Sequence, residues 1–203
     1  MPGARRTPGP PQTRAGAGTH DAQQANATPP AFEVLSASAE ETSAVGEQLG
    51  RLLRGGDVVA LHGELGSGKT TFVQGIAQGM RIDPRLVKSP TFVIEREYAG
   101  PIPLIHIDGY RLAGAPSVAW LGLEQLFDVS KVTVIEWAER FSGLLPDDHL
   151  VFSLQHMSAN RRRLSAFCAG TRSQRLVAEL HARRTTHNAP RTTTQEAHGA
   201  ARD

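Results

Sequence analysis

The chain alternates between two hydrophobic rhythms, one of period two and one near 3.6, and the alternation outlines a series of strands and helices. Phe32 to Leu35 reads as a short strand. Ser38-Ala39-Glu40-Glu41 then sets a glutamate three residues after a serine, the spacing of a capping box, and opens a helix whose apolar face is Val45, Leu49, Leu52 and Leu53. Gly55-Gly56 is expected to close that helix, because glycine accepts the left-handed conformation of a helix end. Asp57 to His62 predicts a buried strand, and a helix is expected from Lys69 to about Met80. Strands follow at Phe92–Tyr98, Leu104–Asp108, Val132–Glu136 and His149–Gln155, with a short helix over Leu121–Phe127. The link between Tyr98 and Leu104 contains Gly100, Pro101 and Pro103, which suits an antiparallel hairpin, so the sheet is expected to mix parallel and antiparallel pairs.

The rhythm is absent at both ends. Residues 1–30 are dominated by Pro, Gly, Ala, Thr and Gln, cannot bury enough surface to offset the entropy of ordering, and are expected to be disordered. The same argument covers most of 168–203, with room for a short helix over Arg175–Arg183. One folded domain is therefore expected over 31–167.

Between the strand ending at His62 and the helix beginning at Lys69 stands Gly63-Glu64-Leu65-Gly66-Ser67-Gly68-Lys69-Thr70. It fits G-x-x-x-x-G-K-[ST], in the strand-to-helix setting that the mechanism of a P-loop requires. The glycines let backbone N–H groups turn inward, and the helix N-terminus adds partial positive charge where phosphates would sit. The candidate nucleotide contacts are Leu65, Gly66, Ser67, Gly68, Lys69, Thr70 and Thr71. Lys69 would reach the outer phosphates, and Thr70 would offer its hydroxyl to magnesium. The fold class that follows is α/β, a single P-loop NTPase domain with a mixed sheet flanked by helices. A glycine-rich turn before a helix is the bland alternative, and the flanking elements argue against it.

A P-loop needs an acidic partner for its metal, usually at the end of an apolar strand, and two such ends are present: Ile107-Asp108 and Ile135-Glu136. Glu136 is the first choice for magnesium. Asp108 is suited to holding a metal-bound water or orienting the attacking water. Ser89-Pro90-Thr91 lies where other P-loop proteins place a segment that senses the third phosphate, with a plain turn as an equal reading. His106 alternates with Asp108 on one strand face and reads as a packed or supporting histidine ahead of a metal ligand. In Arg161-Arg162-Arg163, a solvated charge run by default, Arg161 is the candidate for nucleotide contact.

Composition narrows the setting. No apolar run approaches the ~18 residues of a membrane span, so a soluble protein without membrane contact is expected. Arg5-Arg6 is followed by no apolar stretch of the kind that export signals need. The single cysteine, Cys168, cannot form an internal disulfide, which fits the cytoplasm. A pI near 9.0 suggests nucleic acid until the charge is divided. Residues 1–30 carry three Lys/Arg against one acid, 31–167 thirteen against sixteen, and 168–203 six against three, or +2, −3 and +3. The basicity lies in the tails, so direct tRNA binding by the core is not expected.

Neither an Asn/Thr-Lys-x-Asp motif, which reads guanine, nor a Leu-Ser-Gly-Gly-Gln signature is present, which favours ATP. The run through Gly63 to Phe72, Lys88-Ser89-Pro90-Thr91-Phe92, His106-Ile107-Asp108-Gly109-Tyr110-Arg111-Leu112, Gly122-Leu123-Glu124 and Glu136-Trp137 together resemble the TsaE (YjeE) family, over roughly Phe32 to Leu164. The resemblance implies a bacterial ATPase that works with TsaB and TsaD to make threonylcarbamoyladenosine in the anticodon loop of tRNAs. TsaD would carry the transfer, and tRNA would be met only through the complex. The resemblance also implies that Lys69 and Thr70 serve nucleotide and magnesium, that Glu136 serves magnesium, and that Asp108 supports hydrolysis. Asp108, Glu136 and Lys69 are then the catalytic set. Ser67 stands where the family often has alanine, a harmless change in a loop that needs small residues. The long tails are the larger departure.

The rival enzyme reading is a small-molecule P-loop kinase. It would normally bring a mobile, arginine-rich lid, and Leu112–Trp120 is short for one. A nucleotide-binding module without turnover is a third reading.

Overall fold

A computed structural model of the chain describes residues 29–90, 95–112, 127–141 and 143–187. Strands β1 (Phe32–Ser36), β2 (Val58–His62), β3 (Glu95–Tyr98), β4 (Leu104–Asp108), β5 (Val132–Glu136), β6 (Leu150–His156) and β7 (Arg162–Cys168) form one sheet in the order β1-β7-β6-β2-β5-β4-β3. Helices α1 (Ala39–Gly50), α2 (Lys69–Gly79) and α3 (Thr171–His187) complete the described framework. The α/β class and the mixed sheet are as expected. β2 pairs in parallel with β5 and β6, and β4 with β5, whereas β3–β4, β6–β7 and β1–β7 are antiparallel.

Every residue of β4 and β5 is buried, as befits parallel strands covered on both faces. Val59, Leu61, Leu104 and Val134 point into the larger apolar cluster, which α1 and α2 share. Ala60, Ile105, Ile107 and Ile135 point the other way, into a smaller cluster closed by Ala138 and Phe141.

The capping box at Ser38 is present: its side chain accepts from the Glu41 N–H at 3.2 Å, and Glu41 reaches back to the Ala37 N–H at 2.7 Å. The far end of α1 differs from expectation. The helix stops at Gly50, where Leu52 N–H turns back to Leu49 O at 2.8 Å and both Leu52 and Leu53 enter the core. Gly56, at φ +87°, serves the later turn into β2 instead.

Four glycines fix α1 against α2. A Cβ at Gly46 would stand 2.3 Å from Phe72 O, at Gly50 2.2 Å from Ile76 O, at Gly75 2.0 Å from Ser43 O and at Gly79 2.2 Å from Glu47 O. Each helix contributes a pair at i, i+4, so backbone rests on backbone along a full turn. This contact seats the helix that begins at Lys69.

The folded unit also passes the expected boundary at 167. β7 ends at Cys168, and α3 is longer at both ends than the helix expected over Arg175–Arg183. α3 buries Leu176, Val177 and Leu180. The Asp148 carboxylate accepts the Arg172 and Ser173 N–H groups at 2.7 and 3.0 Å, and Arg172 Nε and Nη2 bond the Asp57 carboxylate at 2.9 and 2.8 Å. Three apolar residues in so polar a segment left little rhythm to read. The helix expected over Leu121–Phe127, apart from Phe127, lies outside the described residues, as do 91–94 and nearly all of the segment weighed as a lid. Residues 1–28 and 188–203 also lie outside them. Among the described residues no helix is long and apolar enough to cross a membrane.

Candidate nucleotide site

Three neighbouring parallel strands end together. Leu61 of β2 pairs with Glu136 of β5, and Asp108 of β4 pairs with the same Glu136. The loop after β2 and both strand-end acids thereby meet at one edge of the sheet, where open α/β sheets bind ligands.

The loop is held by its glycines. Gly63 adopts φ +144°, and a Cβ there would lie 2.4 Å from Leu154 O. Gly66 adopts φ +79°, and a Cβ there would meet no described residue within 4 Å, so the loop's crest is open on the side of the described residues. Gly68 is the N-cap of α2, and no side chain caps that helix. Its first-turn amides are oriented for an anion. The Leu65 side chain is 79% exposed, so the candidate contact there is backbone. Thr71 is half-buried on the first turn of α2, and Ser67 is buried with its hydroxyl unpartnered among the described residues.

Lys69 is buried and curls over its own loop. Its Nζ donates to Gly63 O at 2.7 Å and Glu64 O at 3.0 Å and stands 4.1 Å from the centre of the Trp137 ring. Burial pulls the ammonium below the usual lysine range, opposed by the charges of Glu136, Glu139 and Asp108. Trp137 holds this position from a left-handed backbone, φ 58°, and also packs against Tyr110 with ring centres 5.3 Å apart.

Thr70 Oγ1 donates to Glu136 Oε1 at 2.9 Å, joining residues 66 positions apart. A hydroxyl beside a carboxylate is a hard oxygen pair of the kind magnesium takes when phosphates and waters supply its other ligands. No group of three or more His, Cys, Asp or Glu suited to a metal occurs among the described residues. Thr70 and Glu136 are the oxygen pair that could hold a divalent cation here. Asp108, 2% exposed, accepts the Ser89 hydroxyl on Oδ2 at 2.5 Å and the Tyr110 N–H on Oδ1 at 2.9 Å. The segment expected to sense a third phosphate is therefore joined to this acid through Ser89, while Thr91 is outside the described residues.

The family model described as threonylcarbamoyl adenosine biosynthesis protein TsaE matches residues 36–164, a span that holds every residue of this site. The chain belongs to the TsaE family. It is 37% identical to the tRNA threonylcarbamoyladenosine biosynthesis protein TsaE of Bacillus subtilis over 142 residues, 70% of this chain and 88% of that one. To the protein of the same name from Treponema pallidum it is 38% identical over 131 residues, 64% of this chain and 96% of the other. The crystal structure of Bacillus subtilis YdiB superposes with a TM-score of 0.64 at 30% identity, covering 75% of this chain and 95% of that one.

Some features of this TsaE site were not legible in sequence. Arg161 is exposed in the turn between β6 and β7, where its N–H donates to Ser158 O at 3.2 Å. Arg162 is the arginine beside the loop, its Nε 3.6 Å from where a Cβ on Gly68 would stand. Three successive arginines offered no way to choose, since only the register of β7 decides which one faces the loop. Trp137 was noted as part of a motif, but its stacking on Lys69 depends on a left-handed turn that propensity does not predict. Glu139, in the short helical turn Ala138–Phe141 that follows β5, joins the acids whose field reaches Lys69.

Proposed function

We propose that this protein binds ATP with magnesium and hydrolyses it to ADP and phosphate, as an accessory subunit for threonylcarbamoylation of adenosine in the tRNA anticodon loop. The observation that carries the reading is the Thr70 hydroxyl on Glu136 Oε1 at 2.9 Å, directly behind an open phosphate loop. The names of its relatives support the tRNA modification, which we place in the cytoplasm.

The roles follow from position. The amides of Gly66 to Thr70 cradle phosphates, and Lys69 leaves the Gly63 and Glu64 carbonyls to reach the outer ones. Thr70 and Glu136 would hold the cation, which would supply positive charge against that building on the phosphates. Asp108 orients the attacking water, and Ser89, bonded to Asp108, ties the occupancy of the third phosphate position to the loop before β3. Nucleotide state then governs docking to TsaB- and TsaD-type partners, with tRNA reached only through them.

Calorimetry with purified protein should register ATP binding that magnesium strengthens and that Lys69→Ala abolishes. Reconstituted threonylcarbamoylation should depend on the protein, and turnover should rise when partners are added. No heat with any nucleotide would overturn the reading, and turnover that needs a small phosphate acceptor instead would favour a kinase.

A further inference from the structure

The imidazole of His106 is wholly buried in β4, two residues before Asp108, and the nucleotide reading leaves it without a task. Its Nε2 lies 3.0 Å from Glu136 Oε1, the same oxygen that accepts the Thr70 hydroxyl. Its Nδ1 is buried with no hydrogen-bond partner among the described residues. A neutral imidazole has one N–H and one lone pair. Placing the N–H on Nδ1 would bury an unpaired donor and turn the Nε2 lone pair toward a carboxylate oxygen, two unfavourable contacts at once. The Nε2–H tautomer avoids both and donates to Glu136.

We propose that His106 is a positioning residue that clamps Glu136 Oε1 and so presents Oε2 to the divalent cation accompanying the nucleotide. The proposal rests on the magnesium–nucleotide reading given above. A glutamate's terminal torsion is broad, so an unrestrained carboxylate would sample many orientations. Two donors on one oxygen remove that freedom, and Oε2 receives no hydrogen bond from any described residue. When Thr70 turns its hydroxyl to the cation, His106 is the donor that stays on Oε1. The ring cannot easily swing away, because it is enclosed in the core and the Tyr98 ring lies beside it at 6.3 Å between centres.

The test compares the full chain with His106→Leu and His106→Gln by titrating ATP calorimetrically, once with magnesium and once in EDTA. The leucine variant is expected to lose on the order of 10-fold of the affinity that magnesium adds, with affinity in EDTA unchanged. The glutamine variant, whose amide still donates, should regain most of that loss. Equal losses with and without magnesium, or an unchanged magnesium gain in folded His106→Leu, would overturn the positioning role alone. Wild-type protein that gains nothing from magnesium would overturn the parent reading and this role with it. Should the leucine variant fail to fold, nitrogen-15 spectra of the wild-type histidines decide, with His106 identified by its loss in His106→Gln. An Nε2–H tautomer is expected, and an Nδ1–H tautomer would overturn the proposal.

Discussion

The Lys69 ammonium lies 4.1 Å from the centre of the Trp137 ring while bonded to the Gly63 and Glu64 carbonyls. A desolvated cation over an indole is worth about 2 kcal/mol. On the proposed reading, a phosphate entering the loop would draw the lysine off both. With Trp120→Phe leaving Trp137 as the one tryptophan, ATP is expected to change its emission saturably, in step with calorimetric binding. Binding without any emission change would show that the lysine keeps its place.

Burial depresses the Lys69 pKa despite the neighbouring acids, so the folded state sheds this proton before the unfolded chain does. Between the depressed folded value and the ordinary lysine value of about 10.4, the unfolded state binds more protons, and stability from this group rises with pH. Below that window the buried charge is a constant cost. Urea melts should therefore show the stability of wild type rising relative to that of Lys69→Met as pH climbs toward 10. A constant difference would mean that the ammonium is not desolvated.

Asp108 spends both oxygens on Ser89 and Tyr110, which holds it at the strand end without making it part of the phosphate cradle. Asp108→Asn is expected to lower ATP turnover by roughly 100-fold or more while nucleotide affinity stays within a few-fold. Ser89→Ala should have a smaller effect of the same kind. Steady-state kinetics beside calorimetry separates the two, and an affinity loss matching the turnover loss would move Asp108 into binding.

Gly75 has no room for a methyl group, since its Cβ would stand 2.0 Å from Ser43 O. Alanine gains about 1 kcal/mol of helix propensity, which cannot offset parting two helices joined at four such points. Gly75→Ala is expected to cost at least about 2 kcal/mol in a urea melt. A cost under about 0.5 kcal/mol would show that the helices separate freely.

The glycine-rich loop, the two strand-end acids and the hairpin of β3 and β4 were readable because local chemistry alone determines each. The glycines of Gly63 to Thr70 admit the positive φ angles that the turn uses, and Asp108 and Glu136 close runs that are buried. What escaped depends on distant partners. β7 begins with Arg162 and Arg163, which look like surface until β1 and β6 flank them. α3 is polar by composition and is fixed by Asp57 and Asp148, far away in sequence. The glycines at 46, 50, 75 and 79 read as helix breakers one at a time, and only the paired helices reveal them as contact points.

That backbone-on-backbone seam between α1 and α2 has a mechanical meaning. Packed interiors compress little, and at four points here backbone meets backbone with no side chain between. The helix carrying Lys69 and Thr70 is therefore braced like an anvil against its neighbour.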